Sequence, residues 1–314
     1  MKTRRNTMKA LLIINPNAGN GDAAKNSHAI INRFNEYGIK TEVMLTTARG
    51  DASEYVRNYG AGRELVICAG GDGTLNETIN GIMSFPENER PGIGYIPFGT
   101  TNDFARSLRI PNNYADAIEN IVNGKPVPYD IGSYGGRYFV YVATFGAFSE
   151  TSYSTPQDLK RIFGHTAYLF ESVKALPSIK PHHMRFEFDT GEILEGDYAF
   201  GAISNTRSYG GVVNLGKLGV DVSDGLFEMT LIKLPRTLYQ TGKVAYSLGS
   251  GEYDTSLITF ERFSSCKVIT DSKELHWSID GEKGEAMREV EIVNHRRAIN
   301  IVTKVQEALT EKSS

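Results

Sequence analysis

The chain of 314 residues has only two cysteines, Cys68 and Cys266, and no CxxC pair. Such sparse cysteine argues against a disulfide framework and against a zinc-ribbon site. No apolar run approaches the roughly 18 residues that a transmembrane helix needs. The basic residues at 1–9 precede only a short apolar strand, whereas a signal peptide needs a longer apolar region. We therefore expect a cytoplasmic protein.

The net charge and the histidine spacing give no support for a nucleic-acid partner or for a histidine metal site. The formal net charge is −3 at pH 7, which gives no support for general nucleic-acid binding. We therefore expect no nucleic-acid partner. The six histidines show no metal-ligand spacing, because the adjacent His182 and His183 would point to opposite faces of a strand.

The first part of the chain alternates apolar strands with helical patterns. Short strands are predicted at 10–14, 40–46, 64–69 and 92–96. This alternation is typical of βαβ units and a parallel sheet. Asp51 and Glu54 resemble a capping box that opens the helix after the second strand.

After Lys125 the pattern changes to short alternating strands with glycine turns, including a strand over 138–147. Two helical patterns, near 156–176 and 237–248, interrupt this run. We predict an α/β + β fold: an N-terminal α/β domain (1–129) with a largely parallel sheet, and a C-terminal antiparallel β-sandwich-like domain with helices (130–296). The last apolar strand, at 298–302, suits either domain, and the segment from about 297 to 314 is assigned to the first.

Three loops rich in Gly, Asn and Thr follow strands of the first domain, at 15–21, 70–76 and 97–102. Loops at the carboxyl ends of parallel strands lie at one edge of a sheet, so all three can face one ligand. Glycines and a helix N-terminus offer backbone N–H groups to phosphates, although plain βα connections remain the alternative. The candidate nucleotide-binding residues are Asn15, Pro16, Asn17, Ala18, Gly19, Thr46, Gly70, Gly71, Asp72, Gly73, Thr74, Leu75, Asn76, Thr100, Thr101 and Asn102.

Two other glycine patterns are rejected. Gly19-x-Gly21-x-x-Ala24 fits the dinucleotide fingerprint, but Thr46 and Thr47 stand where an acidic residue should end the second strand. The pattern at 211–217 is similar to a P-loop, but Leu218 replaces the Ser or Thr that would hold magnesium.

Three blocks together resemble the diacylglycerol kinase catalytic family. They are Asn-Pro-x-x-Gly at 15–19, Gly-Gly-Asp-Gly-Thr at 70–74 and Pro-Phe-Gly-Thr-Thr-Asn-Asp-Phe-Ala-Arg at 97–106. The resemblance spans nearly the whole chain, since Asp224-Gly225 and Asp280-Gly281-Glu282 follow in the implied order. It implies a fold like that of NAD kinases and diacylglycerol kinases, in which ATP on the first domain meets a lipid alcohol on the second.

The resemblance also implies residue roles in an ATP-dependent lipid kinase, with conversion of diacylglycerol to phosphatidate as the expected reaction. Asp72 would organise the Mg²⁺ bound to ATP, which removes the repulsion between a carboxylate and phosphates. Asp280 or Glu282 would accept the hydroxyl proton, whereas the residues alone favour an ordinary acidic turn. Asp221, Asp224 and Leu226 would form a structural Mg²⁺ site, with a type I turn as the alternative.

Several alternatives stay open. The acceptor could instead be a sphingoid base, a polyprenol, a glycolipid or NAD, and a nucleotide-binding regulator without catalysis is a further hypothesis. A lipid substrate implies peripheral contact with the inner face of the cell membrane. The helix at 156–176 is either interfacial or packed over the β-rich domain. An exposed edge of the second sheet is compatible with a homodimer.

Overall fold

The computed structural model describes residues 8–146, 180–206, 208–209, 213–214, 219–250, 254–273 and 275–304. They form two compact units: the described residues up to Asp130 and from Arg297 onward belong to the first, and those of Ile131–Arg296 to the second. The helix predicted at 156–176 lies outside the described residues. Within the described ranges, the helices are all too short or too polar to span a bilayer.

The first unit alternates strands and helices, as the sequence predicts. Its strands are β1 (Met8–Ile14), β2 (Ile39–Leu45), β3 (Leu65–Gly70) and β4 (Gly92–Pro97). Its helices are α1 (Asp22–Lys25), α2 (Ser27–Glu36), α3 (Asp51–Tyr59), α4 (Asp72–Ile82), α5 (Asp103–Ser107) and α6 (Tyr114–Val122), with a 3₁₀ turn at Glu87–Glu89.

The sheet of the first unit is parallel. Its order is β17–β4–β3–β1–β2, where β17 (Glu289–Thr303) contributes its last residues through the pair Ile301 and Ile93. The last apolar residues of the chain thus pair with a strand of the first unit. β1 and β3 read as continuous apolar runs because both of their faces are buried, with Phe34 and Ile118 of the helices in the same core. The parallel directions bring the carboxyl ends of β1, β3 and β4 to one edge.

Helix α3 begins at Asp51, as predicted, but the expected capping box is wrong. The Asp51 carboxylate instead accepts the N–H groups of Thr47 at 2.7 Å and Ala48 at 2.8 Å, which lowers the pKa of Asp51. Glu77 of α4 supplies the acceptor at this helix end, since its carboxylate accepts the N–H of Gly50 at 2.8 Å. A residue from another helix thus replaces the local cap.

The second unit is antiparallel. Strand β5 (Lys125–Tyr134) runs from the first unit into the second. The other strands are β6 (Arg137–Phe139), β7 (Val142–Gly146), β8 (His182–Phe188), β9 (Ile193–Ser204), β10 (Ser208–Tyr209), β11 (Val213–Asn214), β12 (Phe227–Lys233), β13 (Ile258–Phe263), β14 (Ser265–Thr270), β15 (His276–Ile279) and β16 (Glu282–Ala286). The order β16–β15–β7–β9–β8–β14–β17 is antiparallel at every step, and β12 pairs with both β9 and β13. Helix α7 of this unit spans Leu238–Ser250. The predicted combination of a parallel α/β part and an antiparallel β part is confirmed.

Aromatic side chains fill the core of the second unit and fix β15 within it. Trp277 of β15 is 1% exposed, and its ring centroid lies 4.9 Å from that of Phe145. Phe139 stacks on Phe227 with centroids 5.5 Å apart. Because rigid rings anchor β15, the acidic turn that follows it starts from a fixed position.

Candidate active site

The three Gly/Asn/Thr-rich loops of the first unit lie against one another at the carboxyl edge of the parallel sheet. Asn15 Nδ2 donates to Thr74 Oγ1 at 3.0 Å, which joins the first loop to the start of α4. The N–H of Phe98 donates to the carbonyl of Gly70 at 2.8 Å, which joins the third loop to the second. Thr46 is tied to the end of β1, since its N–H donates to the carbonyl of Ile14 at 2.9 Å. We call this group of loops the phosphate cradle.

Glycines let the backbones of the cradle approach each other. A Cβ on Gly99 would lie 2.9 Å from Gly71 Cα and 2.6 Å from Asn102 Oδ1. Gly19 has φ +64°, and a Cβ there would lie 3.1 Å from the carbonyl oxygen of Phe98. The first N–H groups of a helix have no intrahelical partners, so the start of α4 after Gly71 offers donors to an anion. Backbone rather than side chains therefore lines the cradle at these points.

Asp72 is the carboxylate of the cradle. Its Oδ2 accepts the N–H of Asp103 at 3.1 Å, and Thr101 Oγ1 lies 3.5 Å away. Tyr95 is buried nearby, and its hydroxyl donates to the carbonyl of Gly70 at 3.3 Å. Burial and the negative charge of Asp72 raise the pKa of Tyr95 well above its ordinary value. The phenol therefore stays neutral and serves as a hydrogen-bond donor to Gly70.

The remaining predicted residues divide between scaffold and surface. Leu75 is 1% exposed and packs in the core, and the buried Asn76 accepts from Asn80 Nδ2 at 3.1 Å. Asn102 is buried with φ +49° at the start of α5. Their side chains thus hold the loops in shape. Other predicted residues lie at the surface: Asn17, Thr100 and Thr101 are exposed, and Pro16, Ala18 and Gly73 are partly buried.

In the second unit, Asp280 begins the tight turn between β15 and β16. Asp280 has φ +49° and Gly281 has φ +80°, the left-handed conformations that a two-residue hairpin turn requires. Asp280 is 6% exposed, and its carboxylate accepts the N–H groups of Val140 at 2.6 Å, Tyr141 at 3.0 Å and Val142 at 3.1 Å. Val140 and Tyr141 lie between β6 and β7, and Val142 is the first residue of β7. The single strand predicted over 138–147 is therefore wrong, because its backbone donates to Asp280 in the middle.

Glu282 follows on β16 and is more open. Its side chain is 27% exposed and accepts from the guanidinium of Arg137 at 2.5 Å. Of the two acidic residues, Asp280 has its oxygens occupied by backbone donors, whereas Glu282 reaches solvent beside a cation. Arg137 could not be found from the sequence, since a lone arginine in a β-rich segment carries no signal of its partner.

The loop at 221–226 is closed by its own side chains. Asp221 Oδ1 accepts from the N–H of Ser223 at 3.0 Å and from its hydroxyl at 2.9 Å. Asp224 Oδ1 accepts the N–H of Leu226 at 2.9 Å, and its Oδ2 accepts from Arg262 at 2.6 Å. Arg262 Nε also lies 3.2 Å from Oε1 of Glu228.

Arg262 thus lies beside two acidic side chains at this loop, Asp224 and Glu228. Glu228 is 2% exposed, and burial raises its pKa to about 8 although Arg262 opposes the shift. Among the described residues, no group of three or more His, Cys, Asp or Glu side chains is arranged to hold a metal ion. Both carboxylate oxygens of Asp224 and Oδ1 of Asp221 already accept hydrogen bonds, and magnesium at this loop stays a prediction.

Comparison with known proteins identifies the family of the chain. The model of the diacylglycerol kinase catalytic domain matches residues 9–134, the region that contains the cradle. A diacylglycerol kinase of Bacillus subtilis (strain 168) is 34% identical over 303 residues, which cover 96% of this chain and 98% of that protein. A diacylglycerol kinase of Staphylococcus aureus (strain MRSA252) is 32% identical over 277 residues, covering 88% and 86%.

Solved structures show the same fold. The crystal structure of a diacylglycerol kinase from Bacillus anthracis str. Sterne has a TM-score of 0.75 at 24% identity and covers 96% of this chain and 98% of that one. Yeast NADH kinase complexed with NADH has a TM-score of 0.52 at 13% identity, covering 97% and 86%. The structural likeness concerns the fold, and the sequence match over almost the whole length concerns the family. The chain therefore belongs to the diacylglycerol kinase family.

Proposed function

We propose that the protein transfers the γ-phosphate of ATP to the hydroxyl of diacylglycerol and releases phosphatidate. Family membership supports a lipid kinase role, to which we add ATP as the phosphate donor and diacylglycerol as the acceptor. The observation that carries it is the phosphate cradle, in which three backbone-lined loops and a helix start surround one carboxylate. Phosphates need such donors, and the carboxylate needs a cation beside them.

The phosphates of ATP would lie over Gly71, Gly99 and the first turn of α4. The backbone N–H groups there would bind phosphate oxygens, and the exposed hydroxyls of Thr100 and Thr101 would add further contacts. The donor set fits Mg²⁺, which commonly takes one or two carboxylates and keeps several waters, and Asp72 would hold it. When bound, the ion neutralises charge on the phosphates.

Glu282 would accept the proton of the attacking hydroxyl in the second unit. A general base must reach the hydroxyl, and Glu282 is partly exposed whereas Asp280 is enclosed by three N–H donors. Arg137 would orient the Glu282 carboxylate through their ion pair. Asp280 would act as a positioning residue that fixes the turn from which Glu282 projects.

Phosphate transfer from γ-labelled ATP tests the proposal. Thin-layer chromatography should show labelled phosphatidate with diacylglycerol, and less label with a sphingoid base, a polyprenol, a glycolipid or NAD. Label on another acceptor alone would replace diacylglycerol in the proposal. Label on none of them, with ATP binding intact, would favour a regulator that has lost catalysis.

A matched pair of variants tests whether Glu282, and not any acidic residue of β16, is needed for phosphate transfer. Glu282→Gln should abolish most transfer while calorimetry still detects ATP binding. Glu285→Gln is the control, because Glu285 lies exposed on the same strand β16. Equal activity of the two variants would contradict the role of Glu282.

A further inference from the structure

Helix α7 presents large hydrophobic side chains to solvent. Leu238 is 87% exposed, Tyr239 73% and Tyr246 63%, the three highest values among the large hydrophobic residues that the structure describes. Val244 and Leu248 of the same helix are buried. Single exposed hydrophobic residues are ordinary, but several on one helix mark an interaction surface.

The exposed residues of α7 share one side of the helix. Tyr239 and Tyr246 are seven residues apart, and Leu238 and Gly242 are four apart, so helical periodicity places them together. A Cβ on Gly242 would meet nothing within 4 Å, so the surface between the side chains is open. We name Leu238, Tyr239, Gly242 and Tyr246 the α7 face.

Positive charge borders the α7 face. The segment 233–250 contains three basic residues, Lys233, Arg236 and Lys243, and no acidic residue, in a chain of net charge −3. Lys233 and Arg236 are exposed. Lys243 Nζ lies 5.1 Å from the ring centroid of Tyr239 and 2.9 Å from Asp254 Oδ2. The local charge is therefore opposite in sign to that of the whole chain.

We propose that the α7 face docks on a bilayer surface that contains anionic lipids. Leucine and tyrosine side chains enter the boundary between head groups and acyl chains, and nearby lysine and arginine attract anionic head groups. A second copy of the chain fits less well, because a two-fold contact through this face would bring the basic residues of both copies together. The proposal rests on the proposed function, since a lipid kinase must reach a substrate held in a bilayer.

Charge and apolar area make separate contributions to docking. Each basic residue near an anionic surface contributes about fivefold in affinity, equivalent to about 1 kcal/mol. Replacing both Lys233 and Arg236 by glutamine should therefore weaken binding to anionic vesicles by roughly 25-fold. Added salt should also weaken the binding of the wild-type protein to anionic vesicles, because it screens these charges.

Gly242 provides a matched pair of variants that removes no existing contact. Gly242→Glu places a negative charge within the α7 face, and Gly242→Leu adds apolar area at the same open position. Both residues form helix better than glycine, so both variants should fold. In sedimentation with vesicles of phosphatidylcholine and phosphatidylglycerol, without ATP, Gly242→Glu should bind less than wild type and Gly242→Leu more.

The kinase assay is run with two forms of substrate to separate docking from catalysis. With short-chain diacylglycerol in detergent, both Gly242 variants should match wild-type turnover; with diacylglycerol in anionic vesicles, turnover should follow vesicle binding. Equal vesicle binding by wild type and both variants would overturn the docking proposal. It would also be overturned if the wild-type protein self-associates and both variants abolish that self-association. Absence of phosphate transfer with either substrate would refute the proposed function, while the vesicle measurement without ATP would still decide the docking proposal.

Discussion

The substitution Asp280→Asn should destabilise the second unit even though it keeps the shape of the side chain. The Asp280 carboxylate is 6% exposed and accepts three backbone N–H groups between 2.6 and 3.1 Å. Asparagine offers one acceptor oxygen, and its NH₂ group would face at least one of these N–H donors. The substitution thus removes both the charge and at least one bond.

The expected cost follows from those bonds. A hydrogen bond to a charged group contributes about 1.5–3 kcal/mol, and a buried donor without an acceptor costs about 1–3 kcal/mol. We therefore expect Asp280→Asn to lower the free energy of unfolding by about 3 kcal/mol, against a total of about 5–15 kcal/mol for a typical protein. At about 2–4 °C per kcal/mol, the melting temperature should fall by about 6–12 °C.

Urea denaturation followed by circular dichroism, with Glu282→Gln as the comparison, measures this difference. The Arg137–Glu282 pair is partly exposed, and such pairs contribute about 0–1 kcal/mol, so Glu282→Gln should unfold close to wild type. An unchanged midpoint for Asp280→Asn would refute the positioning role. Loss of turnover in Asp280→Asn at unchanged stability would instead make Asp280 the proton acceptor.

Three further predictions concern other parts of the chain. Gly99→Ala should weaken ATP binding by at least about tenfold in calorimetry, because its Cβ would press on Gly71 and Asn102, whereas Gly242→Ala should leave it unchanged. Arg262→Ala should lower the free energy of unfolding more above about pH 8 than near neutral pH, because above pH 8 the buried Glu228 carries a negative charge that Arg262 stabilises. In the double variant with Glu228→Gln this pH dependence should disappear. Hydrogen bonds to Asp197 and Glu195 raise the pKa of His183, so its contribution to stability should be complete below pH 6.5 and lost as pH rises through the higher folded-state pKa. Nuclear magnetic resonance of the His183 ring should give a midpoint above 6.5, and a midpoint at or below that value would contradict the ion pairs.

Local patterns predicted the first unit well. The strands expected at 64–69 and 92–96 are Leu65–Gly70 and Gly92–Pro97 in the structure. Strands buried on both faces keep continuous apolar runs, and parallel pairing puts the following loops at one edge. The meeting of the three glycine-rich loops therefore followed from the sequence, whereas the bond between Asn15 and Thr74 did not.

Contacts between distant residues could not be predicted in the same way. The donors to Asp280 lie about 140 residues earlier, and Glu77 closes the start of α3 from another helix. In the sequence Asp280 and Glu282 are therefore equivalent, although in the structure Asp280 is enclosed and Glu282 is open. The helix at 237–248 was expected, but its exposed side was not, because Leu and Tyr at helical spacing suit a buried face equally well.

Transfer of labelled phosphate from ATP to diacylglycerol in detergent micelles, by wild type and Glu282→Gln side by side, decides whether the protein is a diacylglycerol kinase with Glu282 as its base. We expect labelled phosphatidate with the wild-type protein and transfer about 10²–10⁴-fold slower with the variant, the range expected for loss of a general base. Wild-type protein that labels no phosphatidate, or a variant as fast as wild type, would contradict this assignment.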